Sequence, residues 1–144
     1  MCTLIVAWQV FEDTPVAVVA NRDELYARES RPPAVESSEL RIVAPRDEEA
    51  GGTWLGYNEA GVVVAITNRW VEAPDGGRSR GLLVRDALHR RSAEDAARFV
   101  ERELETREYG PFHLLFADAD AALLIAWDGV GNGPPHVENL VPGV

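Results

Sequence analysis

The sequence predicts an α+β fold in which antiparallel sheets are layered with a helix pair. Three observations carry this reading. Apolar, β-branched runs occur in neighbouring pairs joined by turn-sized segments, a consecutive pair of amphipathic helices lies between two such pairs, and neither a G-x-G-x-x-G nor a Walker-type loop suggests a parallel sheet. With 144 residues, 46% apolar and 26% charged, the chain suits one hydrophobic core and is too apolar for disorder.

Thr3 to Val10 and Pro15 to Ala20, joined by Phe11-Glu12-Asp13-Thr14, read as an opening hairpin, with Cys2 at the start of its first strand. From Asn21 to Glu39 the pattern gives way to charges, Ser and the Pro32-Pro33 pair, so this stretch is expected to be a long irregular loop. Arg41 to Ala44 is a short strand. Gly51 to Tyr57 and Gly61 to Thr67 form a second hairpin, with Gly61 suited to a left-handed position. Beyond the Pro74 to Gly77 loop the period changes to 3.6: Leu83, Val84, Ala87 and Leu88 share one helical face. In a second helix Ser92 and Asp95 suggest a capping box, and Ala93, Ala96, Ala97, Val100 and Leu104 make an apolar stripe. Phe112 to Ala117 and Ala122 to Trp127 form a third hairpin, followed by a Gly/Pro loop and a last strand at Val137 to Leu140.

Charge narrows the function classes. Asp and Glu number 24 against 14 basic residues, all of them Arg, for a net charge of −10. Such a surface repels nucleic acid and anionic lipid, and an acidic exterior without Lys suits a halophilic, salt-rich cytoplasm. No apolar run approaches the roughly 20 residues that cross a bilayer, so stable membrane insertion is not expected and the location is read as cytoplasmic. The single Cys cannot form an internal disulfide or a CxxC metal site.

Three places hold candidate chemistry. Removal of Met1 would put a free α-amine beside the Cys2 thiol, and an amine titrating near 7.7–8.0 takes up a thiol proton at neutral pH, which makes a self-contained nucleophile and base. Against this stands a small buried hydrophobe at a strand start. Asn21-Arg22-Asp23-Glu24 follows a strand directly; alternation puts Asn21 and Asp23 on one side and Arg22 and Glu24 on the other, suiting either a substrate contact or a strand-end ion-pair network. Asn68 ends a strand ahead of Arg69 and Trp70: its amide suits a developing oxyanion and the indole suits exclusion of water, although Asn also simply terminates strands.

Met1-Cys2-Thr3, the Asn21 to Glu24 tetrad, Gly51-Gly52-Thr53-Trp54-Leu55-Gly56 and Thr67-Asn68-Arg69-Trp70 together resemble the NRDE family, whose eukaryotic members are called transport and Golgi organization protein 2. Arg78-Ser79-Arg80-Gly81-Leu82-Leu83 and the Phe112 to Trp127 hairpin extend the resemblance over essentially the whole chain, residues 1–144, as one domain. More distantly, the spacing is similar to that of the N-terminal-cysteine Ntn-hydrolases, such as bile-salt hydrolases and penicillin V acylases. That similarity implies two antiparallel sheets between helices and a processed Cys that attacks an amide. By resemblance the catalytic set falls on Cys2, Arg22, Asp23 and Asn68, with Asn21, Glu24, Trp54, Arg69 and Trp70 as substrate-binding residues. In that branch a further Asn and a late Arg come from segments beyond the equivalent of Val144; by that resemblance this is either a member truncated at its C-terminus or naturally short, or a chain with an incomplete catalytic set and αββα core.

The expected activity is cysteine-dependent amide hydrolysis or acyl transfer on a small-molecule substrate, with no required cofactor or metal. The family resemblance also implies an alternative: a non-enzymatic carrier of haem or of lipid and acyl-CoA cargo. His89, His113 and His136, each standing alone in its segment, add little to a haem reading. A third reading uses Trp8, Trp54, Trp70 and Trp127 as anchors for a partner, but aromatics inside strand patterns are ordinarily core residues.

Overall fold

The computed structural model describes residues 2–72, 77–129 and 131–144. The fate of Met1 and most of the Pro74 to Gly77 loop lie outside the described residues. Thr3–Phe11 (β1) and Thr14–Asn21 (β2) form a two-stranded antiparallel sheet, with Thr3 opposite Asn21. Ser30–Glu36 (β3), Ile42–Asp47 (β4), Leu55–Asn58 (β5), Val63–Asn68 (β6), Phe112–Ala117 (β7), Ala122–Trp127 (β8) and His136–Asn139 (β9) form a seven-stranded sheet in chain order, every neighbour antiparallel. Arg80–Ala87 (α1) and Ala93–Thr106 (α2) lie between β6 and β7 in sequence. The α+β class is therefore as the periodicities indicate.

The helices cover one face of the large sheet, α1 against β5 and β6, α2 against β7 and β8. Their buried residues are those the 3.6 period selects: Leu83, Val84, Ala87 and Leu88 near the first helix, Ala93, Ala96, Ala97, Val100 and Leu104 on the second. The Ser92 hydroxyl caps α2 by accepting the Asp95 N–H at 3.1 Å, while the Asp95 carboxylate turns to Arg98 at 2.7 Å. In β7 and β8 the period is two, and Phe112, Leu114, Phe116, Leu123, Ile125 and Trp127 point into the helix-side core. Each such Leu or Phe contributes about 1.5–3 kcal/mol by leaving water.

On the opposite face, Ala117 and Ala122 pack under Trp8, which brings the β1–β2 hairpin onto the sheet as a third layer. The Trp8 indole N–H donates to the Asp118 carbonyl at 2.8 Å, and that of Trp127 donates to the Tyr109 carbonyl at 3.0 Å. Both indoles are core residues with their polar atoms satisfied, which removes them from the set of partner anchors.

Two expectations are corrected. The Asn21 to Glu39 stretch is not loop throughout, because it contains β3. That strand lies at the sheet edge and pairs only with β4, so Pro32 and Pro33 interrupt no central ladder, and its register shifts between Arg31 and Ala34 around them. The strand expected from Gly51 begins only at Leu55. Gly51 is left-handed, with φ of 72°, and Gly52 then lies so close to α1 that a Cβ would stand 2.2 Å from the Gly81 carbonyl carbon. The Thr53 N–H donates to the Gly81 carbonyl at 3.0 Å. This segment is thereby stitched to the first turn of the helix, while the Gly52 and Trp54 carbonyls accept single bonds from the Asp47 N–H of β4 at 2.9 Å and the Ile66 N–H of β6 at 3.0 Å, short of a continuous ladder.

Candidate functional site

Antiparallel pairing gathers distant segments at one end of the layers. The start of β1, the end of β2, the approach to β5, the end of β6 and the approach to β7 all arrive there, as Thr3 opposite Asn21 and Asn68 opposite Phe112 show. With the beginning of α1 they enclose a cleft of about 750 Å³. Cys2, Arg22, Glu24, Trp54, Asn68, Arg69 and Trp70 all line it. Asn21 lies beside Cys2, Arg22 and Trp54 in a narrow adjoining crevice. Alternation along the tetrad thus turns Arg22 and Glu24 toward the larger cleft.

The Cys2 thiol is half-buried, with Sγ 3.8 Å from the backbone carbonyl oxygen of Asp23. Asp23 therefore meets the sulfur through its main chain. Arg22 lies over the Trp54 ring, 4.2 Å from its centroid, and its Nη2 donates to Asp47 Oδ2 at 2.6 Å. Arg28 Nε donates to the same oxygen at 2.8 Å. The other Asp47 oxygen accepts the backbone N–H groups of Glu49 and Ala50, each at 3.0 Å. Burial works to raise the Asp47 carboxyl, but the Ala50 N–H, then Arg28 and Arg22, outweigh it and hold the group below its ordinary range. The bond to Asp47 conversely makes Arg28 more basic than usual.

The opposite wall is held from behind. Arg69 Nε donates to the Asp128 carboxylate, and Arg69 Nη1 lies 2.7 Å from His113 Nε2. A guanidinium only donates, so Nε2 accepts and the imidazole proton sits on Nδ1. Burial, then the Arg69 charge, push His113 below its ordinary value against the pull of Asp128, which favours this neutral form. Asn68 is exposed at the strand end, with its side chain open to the cleft, and Trp70 stands at the rim with 82% of its surface exposed. An indole so exposed does not seal the site from water.

Composition and spacing alone did not select Asp47, Arg28, Arg78 or Arg80, all of which line the cleft. A local signal existed for Asp47: an Asp two residues before the N–H it binds and four before a Gly describes an Asx-type turn. Arg78 and Arg80 belong to a motif that carries the family resemblance without an assigned role. Arg78 reaches Asp86 at 2.7 Å and Tyr109 Oη at 3.1 Å; these two contacts overcome burial and raise its basicity. Among the described residues no group of three or more His, Cys, Asp or Glu forms a candidate metal site, and no helix is long and apolar enough to cross a membrane.

Comparison with known proteins agrees with this architecture. Residues 1–137 match the family model described as Transport and Golgi organisation 2. The chain is 32% identical over 133 residues to the Transport and Golgi organization protein 2 homolog of Homo sapiens, covering 88% of this chain and 47% of that protein. It is 32% identical over 134 residues to the Mus musculus homolog, with the same coverage of 88% and 47%. The chain thus spans about half the length of these curated relatives. Among solved structures, penicillin V acylase from Agrobacterium tumefaciens superposes with a TM-score of 0.59 at 16% identity, covering 96% of this chain and 49% of the acylase. At that identity the likeness speaks to the fold, which is Ntn-hydrolase-like. Sequence match and layered architecture agree: the chain belongs to the Transport and Golgi organisation 2 family.

Proposed function

We propose that the cleft is a cysteine-dependent site for amide hydrolysis or acyl transfer on a small molecule. The observation that supports this most is the meeting of Cys2, Arg22 and Asn68 in one cleft, from segments 20 to 66 positions apart in the chain. With Met1 removed, the Cys2 α-amine takes the thiol proton and sulfur adds to the substrate carbonyl carbon, its π electrons moving to oxygen. The Asn68 amide donates to that oxyanion. Collapse breaks the C–N bond, the amine leaves with the proton held by the α-ammonium, and water or an acceptor amine then displaces sulfur from the thioester. Arg22, fixed by Asp47 and Trp54, positions the substrate, and Asp23 orients the cysteine. The cytoplasmic, salt-rich setting inferred from the all-arginine, acidic composition fits a thiol kept reduced.

The test combines intact mass of the mature chain with turnover of a panel of N-acyl amides. Loss of Met1, and a Cys2→Ala protein whose turnover falls to background, are expected. A mature chain that keeps Met1, or unchanged turnover in Cys2→Ala, overturns the mechanism. Titration with haem discriminates the carrier reading, which requires a Soret shift on binding.

A further inference from the structure

The cleft carries five guanidiniums against the carboxylates of Glu24, Asp47 and Glu72, an excess of positive charge in a chain whose net charge is −10. Five of its lining residues, Arg22, Arg28, Arg69, Arg78 and Arg80, carry guanidiniums. Four of these are already matched: Arg22 and Arg28 by Asp47, Arg69 by Asp128, and Arg78 by Asp86. Arg80 is different. Among the described residues it has no carboxylate partner; its one hydrogen bond runs from Nη1 to the Pro111 carbonyl at 2.7 Å. That bond and the Gly52–Gly81 contact next to it hold the half-buried side chain at the cleft, and among the described residues most of its five N–H donors have no protein acceptor.

A guanidinium in that state gains from an arriving anion. Burial, then the nearby positive charge of Arg28, lower its basicity, and only its electrostatic interaction with Cys2 acts the other way. Arg80 and the Cys2 nucleophile line the same cleft. We propose that Arg80 is the anion-recognition residue of this cleft, pairing with a carboxylate, phosphate or sulfonate carried by the substrate whose carbonyl faces Cys2. The ligand class is thereby an acidic amide or thioester. The carbonyl part rests on the hydrolase reading above; the anion site does not. Elsewhere the acidic surface repels such ligands, so a cation without a carboxylate partner among the described residues selects them.

Because the chain has one cysteine, alkylation reports on Cys2 alone. Iodoacetate and iodoacetamide react by the same displacement, sulfur bonding to carbon as iodide leaves, and differ in charge. The ratio of their rates should fall on the order of tenfold in Arg80→Gln and largely recover in Arg80→Lys. Inorganic phosphate should slow iodoacetate labelling of the unmutated protein more than sodium chloride at matched ionic strength. An unchanged ratio in folded Arg80→Gln overturns the proposal. If that variant does not fold, absence of phosphate protection in the unmutated protein overturns it. Alkylation needs neither Met1 removal nor turnover, so failure of the hydrolase mechanism and failure of the anion site give different results.

Discussion

Asp47 organises more of the cleft than any residue singled out by its position in the sequence. One oxygen holds Arg22 and Arg28, and the other holds the turn that leads to Gly51. Replacing it by Asn keeps the shape but leaves the two guanidiniums only longer ion pairs, Arg22 to Glu24 at 3.8 Å and Arg28 to Glu24 and Glu49 at 4.0 Å. Asp47→Asn is therefore expected to lose about 2–4 kcal/mol, read by urea unfolding, and, on the proposed function, to lower turnover of N-acyl amides through misplaced Arg22. The pH dependence has a fixed sign. The folded carboxyl lies below its ordinary 3.8, so its stabilisation is complete above that pH and is lost as pH falls through the folded value. A stability profile of Asp47→Asn should lack this acid limb. Cys2, Arg22 and Asn68 were legible as candidates because each stands beside a strand end in a readable pattern. Asp47 was not, since its partner Arg22 is 25 residues away and only tertiary structure joins them.

At the scale of elements, the two helices and their buried faces were legible because a 3.6 period and an N-cap are local signals, although Leu88 caps the first helix and does not extend it. β3 was not: two consecutive prolines argue against a strand unless the strand is known to be an edge, and edge position is a property of the sheet. The Gly51 to Trp54 segment differs from a strand for a related reason, because the backbone of α1 takes the Thr53 N–H and leaves only single bonds to β4 and β6. Two glycines separate the causes. Gly52→Ala forces a Cβ against main chain at 2.2 Å, where no rotamer offers relief, and should cost about 3 kcal/mol or more as overpacking. Gly61→Ala meets nothing within 4 Å and carries only the strain of φ at 86°, about 1–2 kcal/mol. Melting temperatures of the two variants should fall in that order, and equal values would show that the Gly52–Gly81 approach is looser than described.

For the molecule as a whole, 24 acidic residues against 14 arginines make self-repulsion a long-range destabilising term. Screening shortens from about 10 Å at 0.1 M salt to about 3 Å at 1 M. The half-buried Arg22–Asp47 pair is shielded from that change, so repulsion weakens more than the specific pairs do. The melting temperature should therefore climb between those KCl concentrations, and a protein most stable in dilute buffer would contradict the halophilic reading. Fold class was legible at this scale because hairpins and a helix pair are each local, whereas the shape of the cleft was not, since its wall is assembled from pieces that never adjoin in sequence. That assembly carries its own evolutionary consequence. Ile66 of β6 excepted, the wall residues belong to connections or to the ends of strands and of α1, outside the packed interior, so most of the wall can change while the scaffold persists. Substitutions along that wall are therefore expected to change what the cleft accepts sooner than they change the layered architecture.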